Sequence, residues 1–305
     1  MELRTLKAFV EVVRQGGFSQ AAKVLYATQS TVSKAVKQLE DELGVRLLER
    51  TVRGSRPTEA GKIVYRRANS MMMEGDDLVS ELDELRGLRK GSLRLGLPAI
   101  GSNALFAPLY AIYRKRYPGI EIQLVEYGSR RLEDMVLAGE LDLGASLLPL
   151  RRELAWQRVR NEPIDVLIAS SHPLARRKSV RLNELAGLDF ILFGEGFAID
   201  PIVMESCRKA GFTPTVAARS GQITFVLELV VAGLGVGFLP RMIAEQRSRP
   251  GLANIAVREP SMPWEMAMMW RRNAYLSHAA RAWLELTEEH YPQLTREKMH
   301  KAKST

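Results

Sequence analysis

"TQSTVSKAVKQLEDELG", residues 28–44, decides the reading of this chain. Val32, Val36, Leu39 and Leu43 recur at i, i+4, i+7 and i+11, so the segment reads as a helix with one apolar stripe. Thr28 is a suitable N-cap and Gly44 a suitable stop. The charges run against the helix dipole, with Lys34 and Lys37 ahead of Glu40, Asp41 and Glu42. An isolated helix prefers acids at its N-terminal end. The order makes sense if the first half faces a polyanion. Ser30, Ser33, Lys34 and Lys37 share the side opposite the apolar stripe, with Gln29 and Thr31 in the first turn. Amide, hydroxyl and ammonium groups of this kind match base edges and phosphates in a DNA major groove. The three acids would repel phosphate, so they are expected to lie beyond the groove. A basic solvated face is the plainer alternative.

The neighbouring segments favour the groove. Upstream, Leu3, Leu6, Phe9, Val10 and Val13 mark a helix. "QGGFS" breaks it, and Ser19 is expected to cap "QAAKVLYA" (residues 20–27). Two short helices joined by a tight turn make a helix-turn-helix. Downstream, "RLLERTVRGSRPTEAG" (residues 46–61) suggests a hairpin, or wing, ended by Pro57. It brings Arg50, Arg53 and Arg56 within phosphate range, and Lys62, Arg66 and Arg67 follow. Phosphate contacts supply affinity and register, and base contacts supply sequence preference. Thr58 is expected to cap a long helix over 59–88. In it Val64, Ala68, Met71, Gly75, Leu78, Leu82 and Leu85 form a heptad seam. The seam suits a dimerisation helix or a helix packed on its own domain. Its length, and the loop-like "RGLRKGS" after it, favour dimerisation.

From Ser92 onward short strands alternate with helices, which implies a mostly parallel sheet. The stretch is long for one sheet, so two α/β lobes are expected. The 305 residues, 46% hydrophobic, suffice for two or three compact units. The net charge of +9 suits an acidic partner. Cys207 is the single cysteine, and His172, His278, His290 and His300 form no close pair, so no metal site or cofactor is expected. The N-terminus lacks a secretion-signal pattern. The longest apolar stretch, "VLELVVAGLGVGFLP" (residues 226–240), contains Glu228 and is too short to span a bilayer. A cytoplasmic protein without a membrane partner is expected.

The first sixty residues strongly resemble the LysR-type bacterial transcriptional regulators. "FSQAAKVL", "TQSTVSKAVKQLEDELG", "LLER" and "PTEAG" stand in the family's order and spacing. "PGIEIQL", "LAGELDLGAS", "SHPLA" and "VVAGLGVGFLP" extend the resemblance over nearly the whole chain. Ser30 stands where proline is frequent in the family, and Pro57 where leucine is. The resemblance implies an α+β multidomain fold: a winged helix-turn-helix over residues 1–58, a linker helix over 59–88, and a two-lobed sensor over 92–293 resembling periplasmic binding proteins. Lobe I would take about 92–163 and 264–293 and lobe II about 164–263, with a basic tail over 294–305. It also implies double-stranded promoter DNA and a small-molecule coinducer as partners, self-association through the linker helix into a tetramer arranged as a dimer of dimers, and RNA polymerase as a further contact.

In open α/β sheets ligands bind at the carboxyl ends of strands, near helix N-termini. That rule selects Ser102 and Asn103, Ser129, and Gln222 and Thr224, with Phe197 on a covering loop. Such turns line the effector cleft in the resembling family. Hydroxyls and free N–H groups suit a small carboxylate or other anion, although each Ser or Thr could equally be a simple helix cap. Arg130 and Arg131 could help to hold an anion, but are rather expected to face solvent or to pair with Glu133 and Asp134. "AGLGVG" (residues 232–237) is no nucleotide loop, because it follows a helix and leads into a strand. Ser171 beside His172 has no third member for a catalytic set. An enzyme would need converging acids, histidines, metal ligands or a phosphate loop. A solute-binding protein would need an export signal. The sequence therefore reads as a ligand-responsive DNA-binding regulator, with a regulator lacking any effector as the alternative.

Overall fold

A computed structural model of the chain describes residues 2–51, 54–85, 91–194 and 196–292. Three helices open it: α1 (Leu3–Gln15), α2 (Phe18–Val24) and α3 (Gln29–Leu43). Thr28 caps α3, its Oγ1 accepting the Thr31 N–H at 3.2 Å. Val32, Val36 and Leu39 are buried against Leu6, Phe9, Val10, Ala21 and Ala22. Leu43 departs from the expected stripe and is 40% exposed. It lies in the last turn of α3, past the helices that cover the other three. Ser19 does not cap α2 either. The helix starts two residues earlier, behind Gly17, and the Ser19 hydroxyl instead donates to Gln29 Oε1 at 3.3 Å.

The wing is a hairpin of β1 (Leu48–Thr51) and β2 (Gly54–Pro57), in which Leu48 faces Pro57. Thr58 then caps α4 (Glu59–Leu85), accepting the Gly61 N–H at 2.9 Å. Residues 86–88 of the expected helix, and Arg53, lie outside the described residues. At 27 residues α4 is about 40 Å long. Its two halves behave differently. Ala68 is buried and Val64 half-buried in the winged-domain core, whereas Met71, Leu78 and Leu82 are exposed. Packing on its own domain therefore accounts for the first half of the seam, and the second half stands exposed in the single chain.

The rest is α/β. Its helices are α5 (Ala107–Arg116), α6 (Ser129–Leu137), α7 (Ile199–Lys209), α8 (Ile223–Val231), α9 (Arg241–Gln246) and α10 (His278–His290). Its strands are β3 (Gly91–Pro98), β4 (Ile120–Tyr127), β5 (Leu143–Leu147), β6 (Leu154–Ala169), β7 (Ser179–Val180), β8 (Phe190–Leu192), β9 (Val216–Arg219), β10 (Gly237–Pro240), β11 (Leu252–Val257) and β12 (Pro263–Arg271). Eight strands form one sheet in the order β4-β3-β5-β12-β6-β11-β7, with β10 also on β6. The sheet is mixed, not mostly parallel. β3 runs parallel to β4 and β5, but β12 is antiparallel to β5 and β6, and β10 and β11 are antiparallel to β6. The reason is the missing helical crossover before β6 and before β12.

The 16-residue β6 serves both lobes. Residues 154–163 pair with β12, and 164–169 pair with β10 and β11. A continuous apolar core includes Phe106, Tyr113, Trp264 and Trp283 on one side and Phe190, Phe193 and Phe238 on the other. A separate small cluster, Leu132, Val136, Leu141, Leu154 and Met269, lies under α6.

Candidate functional site

Two surfaces are candidates for function. On the first, α3 exposes Gln29, Ser30, Thr31, Lys34 and Lys37, with Ser33 half-buried. Burial of Val32, Val36 and Leu39 fixes this face outward. Thr28 Oγ1 shares hydrogen bonds with Ser30 Oγ at 2.9 Å and Thr31 Oγ1 at 2.8 Å. The first turn is thus an ordered and exposed hydroxyl cluster. Arg56 is exposed on the wing, and Arg66 and Arg67 are exposed on α4. Lys62 is held by Glu59 at 2.6 Å.

An open groove of about 1270 Å³ separates α3 from the wing, with Ser33, Lys37, Asp41, Arg46 and Glu49 on its walls. Glu40 has a task the sequence reading missed. Its Oε1 accepts the N–H groups of Leu47 at 2.7 Å and Leu48 at 3.2 Å. The acid pins the start of the wing to the helix. The signal was available in the spacing: an acid eight residues before the first wing strand can reach the free N–H groups at its start.

The second surface is a cleft of about 590 Å³ between the lobes, within the usual range for small-molecule sites. Of the six expected residues, Ser129 and Phe197 line it. Ser129 is buried at the first turn of α6, and the Phe197 ring stacks on Phe193 at 5.4 Å. The other four do not line it. Ser102 is buried and donates to Glu126 Oε1 at 3.1 Å, starting a single π-helical turn. Asn103, Gln222 and Thr224 are exposed.

Arg130, Glu133, Asp200 and Arg219 complete the polar lining. Asp200 accepts the Phe193 N–H at 3.0 Å and Arg219 Nη1 at 2.8 Å. Burial still pushes its carboxyl up to about 6, against the pull of that N–H and of Arg219. Burial likewise raises Glu133, opposed by the Ser146 hydroxyl at 3.0 Å and by Arg151 at 3.3 Å. Glu133 and Asp134 thus pair with Arg151, not with Arg130 or Arg131. Arg131 instead lies over the Tyr127 ring at 3.9 Å. Arg130 is exposed at the cleft mouth, with no ion pair among the described residues. Arg219 ends β9, so the strand-end rule would have found it had charged residues been weighed with the hydroxyls.

A winged helix-turn-helix, a long helix and a two-lobed domain with a cleft are the parts of a DNA-binding transcription regulator. Comparison with known proteins agrees. Residues 3–62 match the bacterial regulatory helix-turn-helix protein, lysR family, and residues 86–292 match the LysR substrate binding domain. The chain belongs to the LysR family of transcriptional regulators and is not an enzyme. It is 36% identical over 291 residues to an uncharacterized HTH-type transcriptional regulator, YwbI, of Bacillus subtilis (strain 168), covering 95% of this chain and 97% of that one. A variant of full-length OxyR from Pseudomonas aeruginosa superposes with TM-score 0.75 at 25% identity, over 94% of this chain and 95% of that one. Full-length CbnR in complex with its target DNA shares the fold, with TM-score 0.64 at 22% identity over 96% and 99% of the two chains. Among the described residues, no helix is long and apolar enough to cross a membrane.

Proposed function

We propose that α3 reads a promoter half-site through Gln29, Ser30, Thr31, Ser33, Lys34 and Lys37, while Arg50, Arg53 and Arg56 contact phosphates. The units are residues 1–58 for DNA, 59–88 for pairing and 92–293 for sensing. The exposed half of α4 pairs two copies, and pairs of dimers make the working tetramer in the cytoplasm. A small carboxylate or other anion binds in the cleft, between the α6 N-terminus at Ser129 and the Arg130 guanidinium. Its arrival changes lobe closure, and with it the spacing and bend of the two half-sites.

The supporting observation is the division of α3. Val32, Val36 and Leu39 are buried, and Ser30, Lys34 and Lys37 are exposed on the opposite side. The test is a gel shift on the DNA upstream of the protein's own coding sequence. Lys34→Ala is expected to weaken binding about tenfold and to lower the salt slope by about one. If neither Lys34→Ala nor Ser33→Ala weakens a complex that the wild type forms, the recognition face is wrong. For the cleft, a panel of small carboxylates is screened by thermal shift. A stabilising compound should lose its effect in Arg130→Ala and Ser129→Ala, and an unchanged affinity in both removes this site.

A further inference from the structure

Helix α6 touches two different bodies, one at each end. At its N-terminal end, Gly128 lies against the lobe II loop so closely that a Cβ there would sit 2.6 Å from the Gly196 carbonyl oxygen. The next residues, Ser129, Arg130 and Glu133, line the cleft. At its C-terminal end, Gly139 takes a left-handed conformation (φ +75°), and a Cβ there would lie 3.4 Å from the Asn69 backbone of α4. Glu140 accepts the Tyr65 hydroxyl of α4 at 2.9 Å. That contact is sheltered: burial, with Glu140 behind it, pushes the Tyr65 phenol up to about 12. Asn69 is buried, and its Oδ1 accepts Arg14 of α1 at 3.3 Å. The chain of contacts therefore runs from lobe II to the DNA-binding unit.

The helix is built to move as one piece. The turn after it is locked to its last residues, with Gly139 N–H on Val136 O at 3.1 Å and Glu140 N–H on Met135 O at 2.9 Å. Its apolar face sits on its own small cluster, apart from the main core. The floor beneath is smoothed by Gly96 and Gly144. A Cβ at Gly96 would lie 2.6 Å from Leu132 Cδ2, and one at Gly144 would lie 3.0 Å from Val136 Cγ2. The two glycines let Leu132 and Val136 rest close on the sheet between Leu141, Leu154 and Met269, a packed contact of the kind that moves by small shear steps. The sheet has its own anchor on α4: Arg271, at the end of β12, donates to Ser70 Oγ at 2.8 Å.

We propose that α6 is a strut, about 13 Å long, that carries lobe II movement at Gly196 to the linker helix at Asn69 and Tyr65. Arg271 is the fixed point and Glu140 the moving one, so displacement of α6 tilts α4 against the sheet. Effector-controlled regulation through this strut rests on the cleft reading given above.

The test uses full-length protein with neither DNA nor ligand, so its outcome is independent of that reading. Hydrogen exchange is followed in peptides covering residues 65–74. Gly128→Ala forces Gly196 and α6 apart, and exchange in 65–74 should quicken about fivefold, the lower edge of ordinary coupling between sites. In the Glu140→Gln background the same wedge should add almost nothing, because the strut is already loosened at the far end. Unchanged exchange in 65–74 with Gly128→Ala, or equal increments in both backgrounds, overturns the proposal. If Gly128→Ala unfolds lobe I, seen as faster exchange throughout residues 143–147, Phe197→Ala replaces it at the cleft end. It is read by the same two outcomes.

Discussion

Glu40 lies in the recognition helix, on the side of the molecule that should meet a polyanion, yet it is an acid. Its contacts with the Leu47 and Leu48 amides predict an effect opposite to simple electrostatics. Hydrogen bonds to a charged acceptor contribute about 1.5–3 kcal/mol, and neutral ones about 0.5–1.5. Glu40→Gln keeps an acceptor of the same shape but loses the charge. The wing attachment should then weaken by about 1–2 kcal/mol, a factor of about 5–30 in local opening. Exchange of the Leu47 and Leu48 amides should quicken by that factor in the full-length protein. Operator binding should weaken, because the wing arginines are less well placed. If Glu40 acted only by repelling phosphate, its neutralisation would tighten binding and leave those amides unchanged. Tighter binding, or unchanged exchange at Leu47 and Leu48, refutes the pinning role.

Gly61→Ala should destabilise the winged unit by about 1–3 kcal/mol through overpacking, because a Cβ there would lie 2.1 Å from the Leu47 carbonyl oxygen. The sign is telling, since glycine to alanine normally stabilises a helix; a Tm at or above that of the wild type contradicts the packing. Asp200 is raised from its usual 3.8 to about 6 by burial, so its favourable contribution is complete below about pH 4 and lost as pH rises through 6. The Tm of the wild type relative to Asp200→Asn should therefore fall from pH 4 to pH 7, and a constant or rising difference counts against it. Leu78→Glu introduces a charge on a seam residue that is 58% exposed in a single chain. Light scattering should show smaller assemblies at micromolar concentration, and an unchanged mass would place the pairing surface elsewhere.

The helix-turn-helix was legible because each signal was local. Thr28 caps its own helix, Gly44 ends it, and the periodicity of Val32, Val36 and Leu39 states which side is inside. Leu43 kept the period but lost the burial, because periodicity reports the side of a helix and not how far its partner extends. Ser19 failed as a cap because Gly17 already supplied an extended residue two steps earlier. In the sensor, the strand-end rule led to the end of the sheet where the cleft opens, but of its residues only Ser129 and Phe197 line that cleft. Ser102 and Gln222 obey the rule, yet Ser102 turns onto Glu126 and Gln222 faces solvent. Arg219 and Asp200 meet only in three dimensions, 19 residues apart. The mixed sheet was missed because β6 and β12 carry the same apolar texture whichever way they run.

The position of β12 also governs the order in which this protein can be assembled. It is the last strand among the described residues, yet it lies between β5 and β6. All the strands that pair with the second half of β6, or with their neighbours there, lie before residue 258. A chain still being synthesised can thus complete lobe II while lobe I holds two unsatisfied strand edges, one on β5 and one on the first half of β6. Open edges of this kind recruit foreign strands. A chain interrupted after residue 262 would carry a finished lobe beside an adhesive one, and the ribosome must deliver the nine residues of β12 before that hazard is closed.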